Sequence, residues 1–449
     1  MPLPRWGVNH KMAENNQNNQ IKITRLKLST KIKRLIFDNS VPILFIIICL
    51  AGVYFSELPA VFIVNTLLSR ITRNSFLVLA LVIPVIAGLG LNFGIVIGAM
   101  AGQFGVIIVT HLKIAGFAGF MWSLLFSTPF AILFGIITAM LLNRTKGQEM
   151  ITSMIAGFFA NGVYQFILLF LVGTLIPIKN PDLVLSRGIG IRNTIDLATK
   201  TGLKYALDDV LKYPLFQVLA IIAAVVIIGL IINYFLKKRS GYEGVDNFKF
   251  ITQLIIMGAI LGISIYVIKS GSLLKSVKLP LLTTLFIAAI WGFNELIVKT
   301  KLGQDFRTIG HDMEIAKISG IDVDRTRIIA MVISTVFAAW GQIIFLQNIG
   351  TLSTYGSHVQ IATFSIAAIL LGGASVTKAT SGQAILGIIL FHTLFIVSPK
   401  AGNNLFGDAQ IGEFFRAFIS YGVIGVALGL HAWNKRIQAM RKQLDTDVI

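Results

Sequence analysis

Residues 303–327 read GQDFRTIGHDMEIAKISGIDVDRTR, a polar island between two apolar segments. The island is too short and too charged to cross a bilayer, which demands about 20 predominantly apolar residues. It still carries a helical pattern. Ile309, Met313, Ala316 and Gly320 fall at 4-3-4 spacing on one face, and Asp312, Glu314 and Lys317 point elsewhere. An isolated helix shorter than about 12 to 15 residues is marginal in water. The island is therefore expected to form a small amphipathic helix that docks on something.

The chain around it is strongly apolar: of 449 residues 55% are hydrophobic and 13% charged, and the mean hydropathy is +0.79. No soluble domain of this length needs so much apolar surface, so the expected fold is an all-α polytopic membrane bundle. The net charge of +19 is spread in short basic clusters that border apolar segments. Such clusters read as topology signals rather than as one basic face for nucleic acid. The single cysteine, Cys49, excludes a disulfide or a cysteine metal site within the chain.

Taken in order, residues 1–40 form a basic arm with the polar patch AENNQNNQ, and no apolar core precedes residue 41. The arm is thus expected to be retained and cytoplasmic rather than cleaved as a signal peptide. A membrane domain, 41–432, is expected to follow, with 433–449 as a cytoplasmic tail. Spans are expected at 41–57, 75–110, 115–142, 149–175, 214–236, 251–268, 280–298, 327–348, 360–373, 381–398 and 411–432, with a short amphipathic piece at 59–70. The glycines of AGLGLNFG, 87–94, break the second stretch, so the total is 11 or 12 crossings. With the polar island inside, 25 of the 39 Lys and Arg residues fall inside and 12 outside, Arg70 and Arg73 being unassigned. That bias favours both termini being cytoplasmic.

The run Gly303, Arg307, Gly310, Glu314, Ala316, Lys317, Gly320 and Ile321 resembles the cytoplasmic coupling loop of ABC-importer permeases of the branched-chain amino acid, simple sugar and nucleoside family. That loop reads approximately G-x3-R-A-x-G-x-N-P-E-A-A-R-x-x-G-I. Here Thr308 replaces the first alanine and Asp312-Met313 stand for Asn-Pro, with the spacing intact. The plainer alternative is an amphipathic connector between membrane helices. A second resemblance lies in AAILLGGASVTKATSGQAILG, where Gly372, Gly373 and Ser375 match a glycine-rich turn of the family. Lys378 and Ala379 stand where glycines are usual. A lysine at mid-membrane costs about 2.5 to 3.5 kcal/mol, so Lys378 is expected at the cytoplasmic end of a short helix.

Asn92, Phe93 and Gly94, and QEMITS at 148–153, resemble the N-I-G and N-E-V-I-S-T of nucleoside-type permeases. A sugar-type Gly-Gly-Ile-Asp-Leu-Ser run is absent, so nucleosides are the favoured solute over sugars, and branched-chain amino acids stay open. For QEMITS the plain alternative is a helix start with Glu149 in the first turn. The glycine-interrupted segments near 87–102 and 370–387 form a weak internal repeat. Paired broken helices mark a translocation path near the midplane, though glycines also serve close helix packing.

Polar residues inside apolar spans are candidate path groups: Asn161 and Gln165 lie i, i+4 on one face, with helix-to-helix bonding as the alternative. Glu295 and Lys299 are spaced for an i, i+4 ion pair, and His392 for a packed polar group. No G-x4-G-K-S/T run occurs, so nucleotide hydrolysis is not expected in this chain. The resemblance implies a non-enzymatic transport subunit without a cofactor of its own, ATP and Mg residing on partner ATPase subunits. It further implies a second permease copy or relative, an extracytoplasmic substrate-binding protein, and residence in the cytoplasmic membrane among lipids. The rival readings are an ion-coupled secondary transporter, disfavoured by the scarcity of intramembrane carboxylates, and a non-transporting scaffold.

Overall fold

In hydrocarbon each backbone N–H and C=O must be satisfied within its own segment, and the apolar stretches of this chain form helices. The computed structural model describes residues 39–178, 180–239 and 247–418, with 421, 422, 424–426 and 429. The basic arm before residue 39, the tail 433–449 and part of the last expected span lie outside the described residues. The first half holds α1 (Ser40–Ser56), α2 (Ala60–Leu79), α3 (Val82–Ile86), α4 (Ile95–His111), α5 (Gly116–Arg144) and α6 (Glu149–Phe166). A π turn, Ile167–Leu171, prolongs α6. Next come β1 (Thr194–Asp196), β2 (Lys212–Pro214), α7 (Leu215–Arg239), α8 (Asn247–Lys269), β3 (Lys278–Pro280) and α9 (Leu281–Lys299). The polar island forms α10 (Lys301–His311) and α11 (Met313–Ile318); α12 (Val323–Ile349), β4 (Thr351–Ser353), α13 (Ser357–Leu371) and α14 (Ser381–Phe406) complete the order.

Eight helical stretches among the described residues are long and apolar enough to span a membrane, and three shorter apolar helices accompany them. The protein is therefore a multi-pass membrane protein. The segment 59–70 is not a separate amphipathic piece. From Ala60 the chain meets neither glycine nor proline before Pro84, so the helix runs on, and α2 with α3 makes one span, Ala60–Ile86, whose second half is buried. Arg70 and Arg73 consequently lie inside a membrane-length helix. The break expected at 87–94 is present: Gly88 and Gly90 adopt φ of 73° and 67°, a region that an L side chain rarely enters, and reverse the chain into α4.

The centre is made by α4, α5 and α12, which approach through small residues. A Cβ on Gly102 would lie 2.4 Å from the Ala339 carbonyl oxygen, and one on Gly98 2.7 Å from that of Thr335. Gly98 and Gly102 thus form a small-xxx-small ridge against α12. The second broken segment repeats the device, since a Cβ on Gly372 would stand 1.8 Å from Gln383 O and one on Gly387 1.8 Å from Ala368 O. The hairpin of α7 and α8 is peripheral, with few buried residues in either span and Tyr234 stacked on Phe250 at 4.3 Å.

Helices alternate between two ends. α10 and α11 mark one, here the peg end. At the opposite, far end Asn404 donates to Phe55 O (3.0 Å). The all-α expectation is modified there by two short antiparallel ladders, β1 with β4 (Ile195 opposite Leu352) and β2 with β3 (Tyr213 opposite Leu279). They fold the long 172–213 connection back over the bundle and give its backbone groups partners. Gly102→Ala is expected to lower the thermal midpoint of the detergent-solubilised protein, corresponding to about 1–3 kcal/mol of overpacking. Gly229→Ala, on α7 where an added Cβ meets nothing within 4 Å, is expected to leave the midpoint in place.

Candidate functional site

The polar island is two helices rather than one. Asp312 is extended (φ −159°, ψ 117°), and its Oδ1 accepts from the backbone N–H of Glu314 (2.8 Å) and Ile315 (3.1 Å). Aspartate is a strong N-cap, so the chain restarts there instead of continuing from α10. The predicted apolar face still closes: Ile309, Ala316 and Val323 form a buried cluster with Met313 and Ile321 against it. Gly320 is not a member of that face. It takes φ 81° and ends α11 in a Schellman motif, with Ile321 N–H donating to Ala316 O (3.0 Å) and Gly320 N–H to Lys317 O (3.1 Å).

Gly310 seats the peg on the first broken segment. A Cβ there would lie 2.2 Å from Ile86 O, and Gly88 stands beside it. The opposite face is solvent-exposed and carries Arg307, Glu314 and Lys317. It also presents Ile315 (54% exposed) and Ile318 (87% exposed), which the sequence pattern did not single out.

The root of the peg is a buried ion pair. Arg327 on α12 is fully buried; its Nη2 donates to Glu149 Oε1 of α6 at 2.8 Å, and its Nη1 approaches Met313 Sδ at 3.3 Å. Glu149 is thus more than a first-turn charge for the helix dipole. It is the counter-ion that joins α6 to α12 beneath α11. Around this pair Lys146 bridges Asp324 at 2.6 Å, and Asn143 donates to Asp324 O at 2.9 Å. Glu295 and Lys299, spaced for a pair, form no ion pair.

The two nucleoside-like stretches meet. Phe93 N–H donates to Ser153 Oγ (3.3 Å), and Asn92 Oδ1 accepts from Gly94 N–H (2.9 Å) while its amide reaches Ser334 Oγ (3.4 Å). Asn92 is fully buried against α12. Gly372, Gly373 and Ser375 build the α13–α14 turn at the peg end: Gly373 takes φ 89°, and Ser375 Oγ accepts from Lys378 N–H (3.0 Å). Lys378 is exposed in that turn. The two broken segments touch, a Cβ on Gly90 lying 3.6 Å from Val376 Cγ1.

Elsewhere, four helices contribute to a polar core. Tyr164 OH of α6 donates to Gln103 Oε1 of α4 (2.6 Å), whose Nε2 donates to Ser357 Oγ of α13 (2.6 Å). Gln342 of α12 reaches the same hydroxyl at 3.4 Å. His358 Nε2 stands 2.8 Å from Asn161 Oδ1, which also accepts from Gln165 Nε2 (3.3 Å). Gln342 Oε1 and His358 Nδ1 are buried without a hydrogen-bond partner. Beside the core, in the β4–α13 connection, burial pushes the Tyr355 phenol up to about 12, so it stays a donor to Ile191 O (2.8 Å).

Of the sequence-derived path residues the structure brings Asn161 and Gln165 into this core, whereas Asn92, Gly94, Gly372, Gly373 and Ser375 belong to the two turns. Tyr164, Gln342 and His358 were missed because single polar residues on separate helices share no local pattern. Arg327→Met is expected to strand the Glu149 carboxylate and destabilise the protein by about 3–5 kcal/mol. Adding Glu149→Met should restore most of that loss, both read from thermal midpoints in detergent.

A family model described as the branched-chain amino acid transport system / permease component matches residues 197–427. The chain is 25% identical over 184 residues to the xylose transport system permease protein XylH of Haemophilus influenzae, covering 41% of this chain and 44% of that protein. It is 32% identical over 111 residues to the autoinducer 2 import system permease protein LsrC of Klebsiella pneumoniae, 24% of this chain and 30% of that protein. The chain thus spans less than half the length of either relative. No solved structure matches it. A membrane-spanning bundle of this architecture, matched over half its length by that model, belongs to the branched-chain amino acid transport system permease family.

Proposed function

We propose that the chain is the transmembrane subunit of an ATP-driven importer and that α10 and α11 are the peg through which partner ATPase subunits move it. The observation that carries this reading is the peg itself: two short helices, apolar on the inner face, rooted by Arg327 and Glu149, with Ile315 and Ile318 left bare on the outer face. Exposed isoleucines at the tip of an otherwise charged element suit a hydrophobic cleft on another protein. The root joins that tip to α5, α6 and α12, so a push on the peg would be passed to the helices that hold the polar core. Alternating access by rocking of such packed helices needs no chemistry in this chain. A second permease subunit and an extracytoplasmic binding protein complete the proposed importer, in the cytoplasmic membrane with both termini inside.

The solute we infer is small, neutral and rich in hydroxyls. The polar core offers amides, a phenol, a hydroxyl and an imidazole, and no carboxylate or ammonium. An amino acid would bring two charges into it without partners. A nucleoside is favoured by the meeting of the two nucleoside-like stretches at Phe93 and Ser153. A sugar is the second reading, on the similarity to the xylose permease protein.

The test is uptake of radiolabelled nucleosides and pentoses by cells carrying Ile315→Asp with Ile318→Asp. Uptake should fall about tenfold or more, and the ATPase should no longer co-purify, as for lost interface anchors. The midpoint of the isolated chain should not change. Undiminished uptake would remove the peg from the mechanism. Tyr164→Phe, which leaves Gln103 Oε1 without its donor, should raise the solute concentration needed for half-maximal uptake, by a factor matching about 1–2 kcal/mol.

A further inference from the structure

Helix α2 carries Arg70 and Arg73 one helical turn apart within a membrane-length span. Ser69, beside Arg70, donates to Asn348 (3.4 Å), the penultimate residue of α12, so the arginines lie just below the level at which α12 ends. Aromatic rings flank their guanidiniums in place of carboxylates. Arg70 Cζ is 4.6 Å from the Phe395 ring centre on α14, and Arg73 Cζ 5.3 Å from that of Phe345 on α12. Arg416, in the helical stretch 409–418, shares the Phe395 ring at 3.7 Å and donates to Glu413 Oε1 (3.1 Å).

Arg73, Arg416 and Glu413 all lie within electrostatic range of Arg70. Three guanidiniums therefore face one carboxylate. Among the described residues neither Arg70 nor Arg73 forms an ion pair, and Arg73 Nε is buried without a hydrogen bond. Next to them on α14, His392 is 4% exposed with Nδ1 unpartnered. The sequence supplies no acid between Glu57 and Glu149 or between Glu413 and Asp445. An excess of cations in a medium this apolar calls for an anion. Guanidiniums meet phosphate oxygens with paired donors, and they do so better than they meet any neutral group. Neither α2 nor α14 contributes to the polar core, so this cluster is separate from it.

We propose that Arg70, Arg73 and Arg416 bind a phosphate group just below the level at which α12 ends, supplied either by an anionic phospholipid headgroup or from solution. Glu413 occupies part of the site and weakens it. The test uses the purified full chain in nanodiscs of phosphatidylcholine alone, or of phosphatidylcholine with an equal part of phosphatidylglycerol.

In the neutral discs, inorganic phosphate should raise the thermal midpoint saturably, as a ligand of the native state does. Arg70→Gln with Arg73→Gln should weaken the apparent affinity about tenfold or more, and Glu413→Gln should tighten it. In the anionic discs, phosphatidylglycerol retained on the wild type in native mass spectra, lost from the glutamine pair, and abolishing the phosphate response identifies the headgroup as the source. A phosphate response undiminished by phosphatidylglycerol identifies the soluble ion. The proposal is overturned if the wild type and the glutamine pair respond alike to both probes. Should the pair not yield folded protein, Glu413→Gln decides alone: an unchanged phosphate affinity sinks the site.

Discussion

How closely two backbones can approach governs this molecule. Lipid tails are as apolar as leucine, so helices gain little by merely leaving them, and association rests on packing and on hydrogen bonds. Glycine is used wherever a contact matters most. Gly98 and Gly102 seat α4 on α12, Gly372 and Gly387 bring α13 against α14, and Gly310 lets the peg touch Ile86 O at the first break. The same residue type therefore closes the bundle, reverses the chain at 87–94 and attaches the element that reaches outward. A methyl group at any of these contacts would push apart elements on which the others lean.

Polar groups are placed by a second constraint, that each buried donor or acceptor costs free energy unless paired. At the peg end that constraint produces a full charge pair, Arg327 with Glu149, in a spot where desolvation makes either partner alone unacceptable. In the core it produces a chain of neutral groups from Tyr164 through Gln103 to Ser357, with Gln342 Oε1 and His358 Nδ1 left over. The leftover atoms sit where helices from both halves of the sequence converge.

Toward the far end the pattern changes sign. Arg70, Arg73 and Arg416 gather around aromatic rings with one carboxylate among them. The bundle thus holds a neutral middle between a charge pair at one end and a cluster richer in cations than in carboxylates toward the other. The core itself holds no fixed charge, and the three arginines lie on helical stretches that the core does not use.

Much of this was legible in the sequence. The apolar runs located most of the helices, because an apolar stretch of about 20 residues has no stable alternative to a helix in hydrocarbon. The glycines at 87–94 announced the first break, and the motif at 303–327 announced the family. Local reading failed at Asp312 and Gly320, where capping chemistry outweighed the 4-3-4 pattern, and at 59–70, where no breaker stood to end α2. What the sequence by itself determined is therefore the helical, membrane-spanning kind of fold, the rough place of most helices and the polar island at 303–327. What only the tertiary structure decided is which polar residues meet: Glu149 with Arg327, Tyr164 with Gln103, and Asn161 with His358. Those partners lie 61 to 197 positions apart in the chain. No periodicity within one helix encodes a contact across several, because such a contact depends on how closely every intervening helix can pack.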